Sequence, residues 1–209
     1  MTDERLVWPA GPGSVEILVR RSRFLGLALP CEGEADAAQR LAEIRRDHPK
    51  ANHHVYAWRL RSGETGRITH RFDDDGEPGG TAGRPVLTAL EGRQAIDALV
   101  VVVRYFGGIK LGAGGLVRAY GEAAGKALAA ADLRPLVPTQ VVTVRLPFAH
   151  VPWLERVAAR EGLAILDRSF GADATLALAV PVERVASLSR EIRDLTGGGA
   201  RIDFGPATG

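Results

Sequence analysis

The stretch from Asp73 to Ala124 reads DDDGEPGGTAGRPVLTALEGRQAIDALVVVVRYFGGIKLGAGGLVRAYGEAA. It joins an acidic run, two glycine-rich loops, an aliphatic strand at 98–103 and the start of a basic helix. A strand that is apolar on both faces lies in the centre of a sheet or is covered on both sides. Glycine loses more backbone entropy on folding than any other residue, so a cluster of glycines indicates close approach of the backbone to another group. We therefore expect this stretch to hold both the centre of a sheet and the functional site.

The composition is that of an ordinary folded protein. The 209 residues include 27 basic and 25 acidic ones, and the formal net charge of only +2 gives little support to a dedicated nucleic-acid binder. The single cysteine, Cys31, excludes an internal disulfide and does not favour a zinc site. The amino terminus has no apolar core of signal length, and the longest aliphatic run, 98–103, is too short to span a membrane. We expect a soluble, cytoplasmic protein without a membrane segment.

Hydrophobic patterning on both sides of the quoted stretch predicts a first domain over residues 1–134. Strand-forming runs and helical spacing alternate along it. In chain order they predict a hairpin of strands at 16–20 and 24–29, a helix at 35–47, strands at 54–60 and 67–72 joined by a turn at Ser62, Gly63 and Gly66, a helix at 81–91, the strand at 98–103 and a helix at 114–131. Residues 9–13 are expected to form an irregular lead-in, and Asp132, Pro135 and Pro138 a linker.

The pattern restarts after this linker and predicts a second domain over residues 138–209. Its predicted elements are a strand at 139–146, a helix at 150–161, strands at 164–170 and 174–180, a helix at 182–196 and a strand at 200–204. This order, βαββαβ, is the split βαβ arrangement of ferredoxin-like domains. The chain as a whole is predicted to belong to the α+β class.

The first glycine-rich loop opens with the densest group of carboxylates in the chain, at Asp73, Asp74, Asp75 and Glu77. Carboxylate oxygens are ligands for magnesium and calcium. An EF-hand register with glycine at its sixth position would place Arg71 and Ala82 at the two key ligand positions, so a calcium loop is excluded. The alternative is an acidic turn whose aspartates accept backbone N–H bonds and cap the following helix. We predict no metal site here.

The second loop places five glycines between the buried strand and a helix, with Lys110 inside the loop and Arg118 one turn into the helix. The glycines are Gly107, Gly108, Gly112, Gly114 and Gly115. Exposed N–H groups at a helix start, the positive end of the helix dipole and two cations favour a phosphate or carboxylate. The alternative is a strained, tightly packed turn in which the lysine is merely solvated. The loop matches neither the P-loop pattern nor the dinucleotide-binding pattern, because it lacks a residue that each of them requires.

Two segments, DDGEPGGTAGRPVL from Asp74 to Leu87 and VVVRYFGGIKLGAGGLVRAY from Val101 to Tyr120, resemble the signature segments of the IMPACT/YigZ family. The resemblance extends over the whole chain and is to the bacterial two-domain members. It implies an N-terminal IMPACT domain, an α/β sandwich similar to the second domain of a small-subunit ribosomal protein, followed by the ferredoxin-like domain. It further implies contact with RNA or the ribosome and a role in translational regulation, and it brings no catalytic residues and no cofactor. The first signature segment includes Asp74, Asp75, Gly76, Glu77, Pro78, Gly79, Gly80, Thr81 and Gly83.

These observations leave three functional hypotheses. The leading one is a non-enzymatic RNA- or ribosome-associated protein that contacts the phosphate backbone. The residues assigned to those contacts are Arg84, Arg104, Gly108, Lys110, Gly112, Gly114, Gly115 and Arg118. One alternative is an enzyme that acts on a phosphorylated small molecule, with Asp74, Asp75 or Glu77 as a magnesium ligand or general base. The other is a regulatory module that binds a protein partner through the first loop.

Overall fold

The computed structural model describes residues 6–62 and 66–208. Gly63 of the predicted turn and the outer ends of both predicted domains lie outside the described residues. The chain divides into two compact units, Met1–Leu136 and Val137–Gly209. Both units combine helices with antiparallel sheets, so the predicted α+β class is confirmed. Within the described residues, no helix has both the length and the hydropathy needed to cross a membrane.

The described residues of the first unit form seven strands and three helices. In chain order these are β1 (Val7–Pro9), β2 (Gly13–Val19), β3 (Ser22–Pro30), α1 (Glu34–Asp47), β4 (His53–Arg61), β5 (Ile68–Asp73), α2 (Gly83–Gly92), β6 (Ala98–Tyr105), α3 (Ala113–Ala130) and β7 (Leu133–Pro135). All the predicted helices and longer strands of this unit are therefore present, with ends shifted by a few residues. Pro85 lies in the first turn of α2, where its missing N–H has no intrahelical partner to lose.

The strand predicted to be central is central. The five-stranded sheet has the order β2-β3-β6-β4-β5, and β6 pairs antiparallel with β3 on one side and β4 on the other. Its alternate residues Val100 and Val102 face α2 and α3, whereas Val101 and Val103 face the side covered by α1. Both faces of β6 are thus buried, which explains its unbroken aliphatic sequence.

Helix α3 lies very close to the sheet because glycines stand beneath it. A Cβ on Gly26 of β3 would lie 2.6 Å from the carbonyl oxygen of Ala123 in α3, and a Cβ on Gly13 of β2 would overlap the backbone of Ala131. Small residues on the facing side of the helix, such as Ala127, complete the contact. This spacing fixes the position of α3, and therefore of its N-terminus in the second glycine loop.

Two short strands overlap the predicted lead-in and linker, β1 at Pro9 and β7 at Leu133–Pro135. β1 pairs antiparallel with β7, from Val7 opposite Pro135 to Pro9 opposite Leu133. The prediction of irregular structure was therefore wrong at Pro9 and at Leu133–Pro135, whereas residues 10–12 and 136–138 do lie outside the strands. Strands of three residues that contain proline give neither a period-two pattern nor a propensity signal, because their stability comes from a partner strand far away in the sequence.

The second unit is a four-stranded antiparallel sheet with two helices. Its elements are β8 (Thr139–Leu146), α4 (Val151–Glu161), β9 (Ala164–Phe170), β10 (Ala174–Pro181), α5 (Val182–Leu195) and β11 (Arg201–Thr208), with one 3₁₀ turn at Phe148–His150. The sheet order is β11-β8-β10-β9. Apolar side chains of both helices pack on the sheet in one core, which includes Leu154, Leu176 and Leu188. The ferredoxin-like arrangement is confirmed.

The close approach of α3 to β3 can be tested by adding a single methyl group. We expect Gly26→Ala to lower the free energy of unfolding by about 1 to 3 kcal/mol, because the new Cβ must displace the α3 backbone. Gly125→Ala is the matched control, since Gly125 lies inside α3 with nothing within 4 Å of its would-be Cβ. It should raise stability by about 0.5 to 1 kcal/mol through helix propensity. Urea unfolding measures both changes, and equal effects in the two variants would contradict the packing argument.

Candidate functional site

The two glycine loops, which the sequence could not place relative to each other, meet in one cleft of about 440 Å³. The first loop contributes Glu77 and Pro78, and the second contributes the segment from Lys110 to Ala113. The remaining lining residues come from the ends of β4 and β6 and from the first turn of α3, and they are Asn52, His53, Arg104, Phe106 and Leu116. The cleft is therefore built entirely at one end of the central strand and its neighbours.

A buried ion pair forms the floor of the cleft. Arg104 of β6 is only 5% exposed, and its Nη1 donates to Oε1 of the buried Glu77. The hydroxyl of Tyr120, in α3, donates to the same oxygen at 2.7 Å, and Nε2 of His53 lies 3.8 Å from it. These contacts tie the first loop, the central strand and α3 together. They converge on one carboxylate oxygen and leave Oε2 of Glu77 without a hydrogen-bond donor among the described residues.

Arg104 is held between two aromatic rings. Its guanidinium carbon lies 5.4 Å from the ring centroid of the buried Phe24 and 5.4 Å from that of Phe106. Phe106 is 45% exposed, so its other face is open beside the cleft. The Nε of Arg104 is buried and has no hydrogen-bond partner in the described part of the chain. Arg104 lines the cleft, but it is buried and paired with Glu77, unlike the exposed Lys110 and Arg118.

The start of α3 is open to solvent on the rim of the cleft. The residue before the helix, Gly112, has the left-handed φ of 70° and provides no side-chain cap, so the first N–H groups of α3 have no acceptor from that residue. Lys110 is exposed just before it, and Gly114 and Gly115 form the first turn. The guanidinium of Arg118 folds back towards this turn, with Nη1 3.8 Å from the would-be Cβ of Gly114.

Two further arginines, outside the predicted site residues, adjoin the site. The β2–β3 hairpin turns at Arg20 and Arg21, which have φ values of 44° and 68°. A Cβ on Gly107 would overlap the carbonyl group of Arg21, and the N–H of Gly107 donates to Oγ of Ser22 at 3.1 Å. The turn is thereby locked against the second glycine loop. Positive φ at two arginines cannot be inferred from their sequence, so no local signal indicated this contact.

A smaller hollow of about 200 Å³ connects the two sets of cations. It is lined by Arg20 of the hairpin turn and by Arg118 and Glu122 of α3, and it shares Leu111 with the main cleft. Arg20, Arg21, Lys110 and Arg118 are exposed, and none of them forms an ion pair with a described residue. Three of these exposed cations, Arg20, Lys110 and Arg118, thus line the cleft or the hollow at the start of α3, and Arg21 is the next residue of the hairpin turn.

The acidic loop is a structural cap. Asp74 accepts hydrogen bonds from the N–H groups of Ala82 and Gly83, at 3.0 and 2.7 Å, and thereby caps the start of α2. Asp75 accepts from the N–H of His54 at 2.6 Å and pairs with Arg45. The alternative in which the aspartates bond to the backbone and cap the next helix is therefore confirmed. Among the described residues, no group of three His, Cys, Asp or Glu side chains is arranged to hold a metal.

The other residues of the first signature segment shape this loop. Gly76 and Gly80 have φ values of 85° and 75°, and the hydroxyl of Thr81 donates to the carbonyl of Pro78 at 2.6 Å. Two further glycines differ in their surroundings: a Cβ on Gly83 would lie 2.8 Å from the Asp73 carbonyl, whereas Gly79 faces open space. Gly108, in the second loop, is exposed with φ 86°. Arg84 is exposed on α2, 3.8 Å from Glu91, and does not line the cleft.

Comparison with known proteins gives matches over both units. The family model of the Impact N-terminal domain matches residues 20–128, and a domain of unknown function, DUF1949, matches residues 144–198. The IMPACT family member YigZ of Escherichia coli strain K12 is 32% identical over 194 residues, which are 93% of this chain and 95% of that protein.

Two solved structures are also similar. A crystal structure described only as that of a hypothetical protein has a TM-score of 0.64 and 32% identity, and the match covers 94% of this chain and 95% of that one. The two-domain translational regulator Yih1 matches 58% of this chain and 48% of its own, with 27% identity and a TM-score of 0.40.

Removal of the buried carboxylate should destabilise the first unit strongly. We expect Glu77→Ala to lower the free energy of unfolding by about 3 to 5 kcal/mol, because the charge of Arg104 then remains buried without its partner. The control Glu91→Ala breaks an exposed 3.8 Å pair with Arg84 and should cost less than about 1 kcal/mol. Urea unfolding followed by tryptophan fluorescence compares them. A loss below about 1 kcal/mol for Glu77→Ala would show that the pair does not support the fold.

Alkaline pH should act on the same cluster through Tyr120. Burial, and next the hydrogen bond to Glu77, raise the pKa of the Tyr120 phenol well above its ordinary value of about 10. As pH rises, the unfolded state loses the Tyr120 proton before the folded state does, and this favours unfolding. The stability that the neutral Tyr120 phenol contributes is therefore complete below about pH 10 and is lost as pH rises further. Between pH 9 and 11.5 the stability of the natural protein should fall more steeply than that of Tyr120→Phe in urea unfolding. Parallel curves would rule out a raised pKa for Tyr120.

Proposed function

Since this chain belongs to the IMPACT family as a two-domain protein of the bacterial YigZ type, we propose that it binds single-stranded RNA at the cleft of its first unit. The four exposed cations around the start of α3 contact the phosphate backbone. We further propose that this RNA binding serves translational regulation at the ribosome.

The grouping of unpaired cations is the observation that carries the proposal. Lys110 and Arg118 belong to the second loop and α3, whereas Arg20 reaches the hollow beside Arg118 through the hairpin turn, in which the carbonyl of Arg21 packs against Gly107. Cations without carboxylate partners attract a polyanion, and they release its counterions when it binds. The N–H groups at the uncapped start of α3 add neutral donors for one phosphate.

The shape of the cleft favours a single strand over a duplex. Phe106 presents one open ring face at the mouth, and base stacking on such a ring contributes about 1 to 3 kcal/mol for each base. Arg104 supports the opposite face of that ring from within. A splayed base can occupy this position only when it is not paired within a duplex. In this proposal the buried pair of Glu77 and Arg104 holds the platform and the loop, and does not itself contact phosphate.

Salt-dependent binding of a defined RNA tests the proposal. A fluorescein-labelled dodecamer of uridine is titrated with the full chain, and anisotropy is followed from 50 to 300 mM KCl. We expect Lys110→Ala/Arg118→Ala to weaken binding and to reduce the slope of log K against log salt by about 1.4, since each phosphate contact on a single strand contributes about 0.7. Phe106→Ala should weaken binding at every salt concentration with little change of slope.

Arg93→Ala is the control for loss of a positive charge away from the cleft. Arg93 is exposed at the end of α2, close before the start of β6, whereas the cleft lies at the other end of that strand. Absence of binding at 50 mM KCl, or a double variant that behaves like the control, would refute the proposal. Sedimentation with ribosomes that persists at 500 mM KCl and in the double variant would also refute it, and would indicate a protein contact instead.

A further inference from the structure

A second surface, in the ferredoxin-like unit, has the chemistry of a peptide-binding groove. Helix α5 packs on the central strands β8 and β10, and a groove separates part of it from the edge strand β11. The resulting groove has a volume of about 650 Å³. One face of α5 forms its wall, through Val182, Val185, Ala186, Ser189, Arg190 and Arg193. Gln140 of β8 and Phe204 of β11 form the opposite side.

The groove contains a buried polar group that has no partner. Ser189 is only 5% exposed, and its Oγ makes no hydrogen bond within the described part of the chain. A buried hydroxyl without a partner costs roughly 1 to 3 kcal/mol, so such groups are rare unless something binds them. A serine within a helix commonly donates to a carbonyl of the preceding turn, but the Ser189 hydroxyl does not. Ser189 lines the groove, but its Oγ has almost no solvent-accessible surface, so an occupant reaches the hydroxyl only when this side chain rotates towards the groove.

The groove is apolar at one end and cationic at the other. Val182 and Phe204, 47% and 49% exposed, are among the large apolar side chains left open to solvent. Arg190 and Arg193 are exposed at the other end of the helix face, and neither pairs with a carboxylate of a described residue. None of the described residues that line the groove is acidic. Its occupant must therefore carry both apolar groups and negative charge.

We propose that this groove binds an extended acidic segment of a partner protein, with apolar side chains at its Val182 end and carboxylates at its Arg193 end. The face from residue 182 to 193 rises about 16 Å along the helix, which matches about five residues of extended chain. An RNA strand does not fit this chemistry, because its charged backbone finds no cation at the apolar end. A peptide supplies both halves, and its backbone groups can bond to Ser189 and Gln140.

Defined peptides test this proposal on the full chain. A fluorescein-labelled hexapeptide of two valines, one phenylalanine and three glutamates is compared by anisotropy with one in which lysines replace the glutamates and one in which glycines replace the apolar residues. We expect only the first to bind. Arg190→Ala/Arg193→Ala should weaken it about tenfold or more, as expected for loss of hydrogen bonds to charged groups. Arg156→Ala, which removes an exposed unpaired arginine of α4, is the control and should bind like the natural chain.

Ser189→Ala separates binding from folding. Because the hydroxyl has no partner in the free chain, its removal should leave the melting temperature unchanged or higher, yet it should weaken the peptide several-fold. The proposal is overturned if the acidic peptide does not bind, if the lysine peptide binds equally well, or if the double arginine variant matches Arg156→Ala. It is likewise overturned if the uridine dodecamer competes for the groove. Because all these residues belong to the second unit, the outcome is independent of RNA binding at the cleft of the first.

Discussion

The buried contact of Glu77 with Arg104 is the constraint on which the first unit depends. A carboxylate in this position must be neutralised, since an isolated buried charge costs far more than the stability of a domain allows. The three residues of this cluster come from three elements: the first loop supplies Glu77, the central strand supplies Arg104 and α3 supplies Tyr120. Satisfying one charge therefore fixes the relative positions of a loop, a strand and a helix. The cleft follows from this arrangement, because its walls are the segments that the cluster joins.

Close backbone contacts at two glycines set the positions of α3 and of the second loop, and so shape the surface around the cleft. Glycines allow α3 to lie against β3 at Gly26, and allow the second loop to pack against the β2–β3 turn at Gly107. A side chain at either position would move the helix or the loop outward by the width of a methyl group or more. The cost of these glycines in backbone entropy is offset by a geometry that no larger residue permits. As a result, cations from two parts of the chain that are about ninety residues apart lie next to each other.

Most of the fold could be predicted from the sequence, because the long elements have strong periodicity and the turns contain glycine or proline. The aliphatic run around Val101 predicted a central strand, and the βαββαβ order predicted the ferredoxin-like unit. Pairing between short segments was missed, as with β1 and β7, since nothing in three residues identifies a distant partner. The site was only partly predictable for the same reason. Periodicity placed Arg104 on a strand but not opposite Glu77, and no local pattern shows that the turn at Arg20 packs against Gly107.

The near balance of acidic and basic residues in the chain is compatible with a cationic rim at the cleft. Carboxylates of the first loop are bonded within the fold, whereas cations of the rim are exposed to solvent. The carboxylates of Asp74, Asp75 and Glu77 bond to backbone N–H groups or to a partner cation, and so they are committed to the fold. The exposed Lys110 and Arg118 have no such partner among the described residues, and their field extends into solvent. A total of +2 therefore understates the local potential that a phosphate would meet at the start of α3. Composition averages over roles that only the folded chain separates, and in this chain the acidic first loop lies at the same cleft as the exposed Lys110.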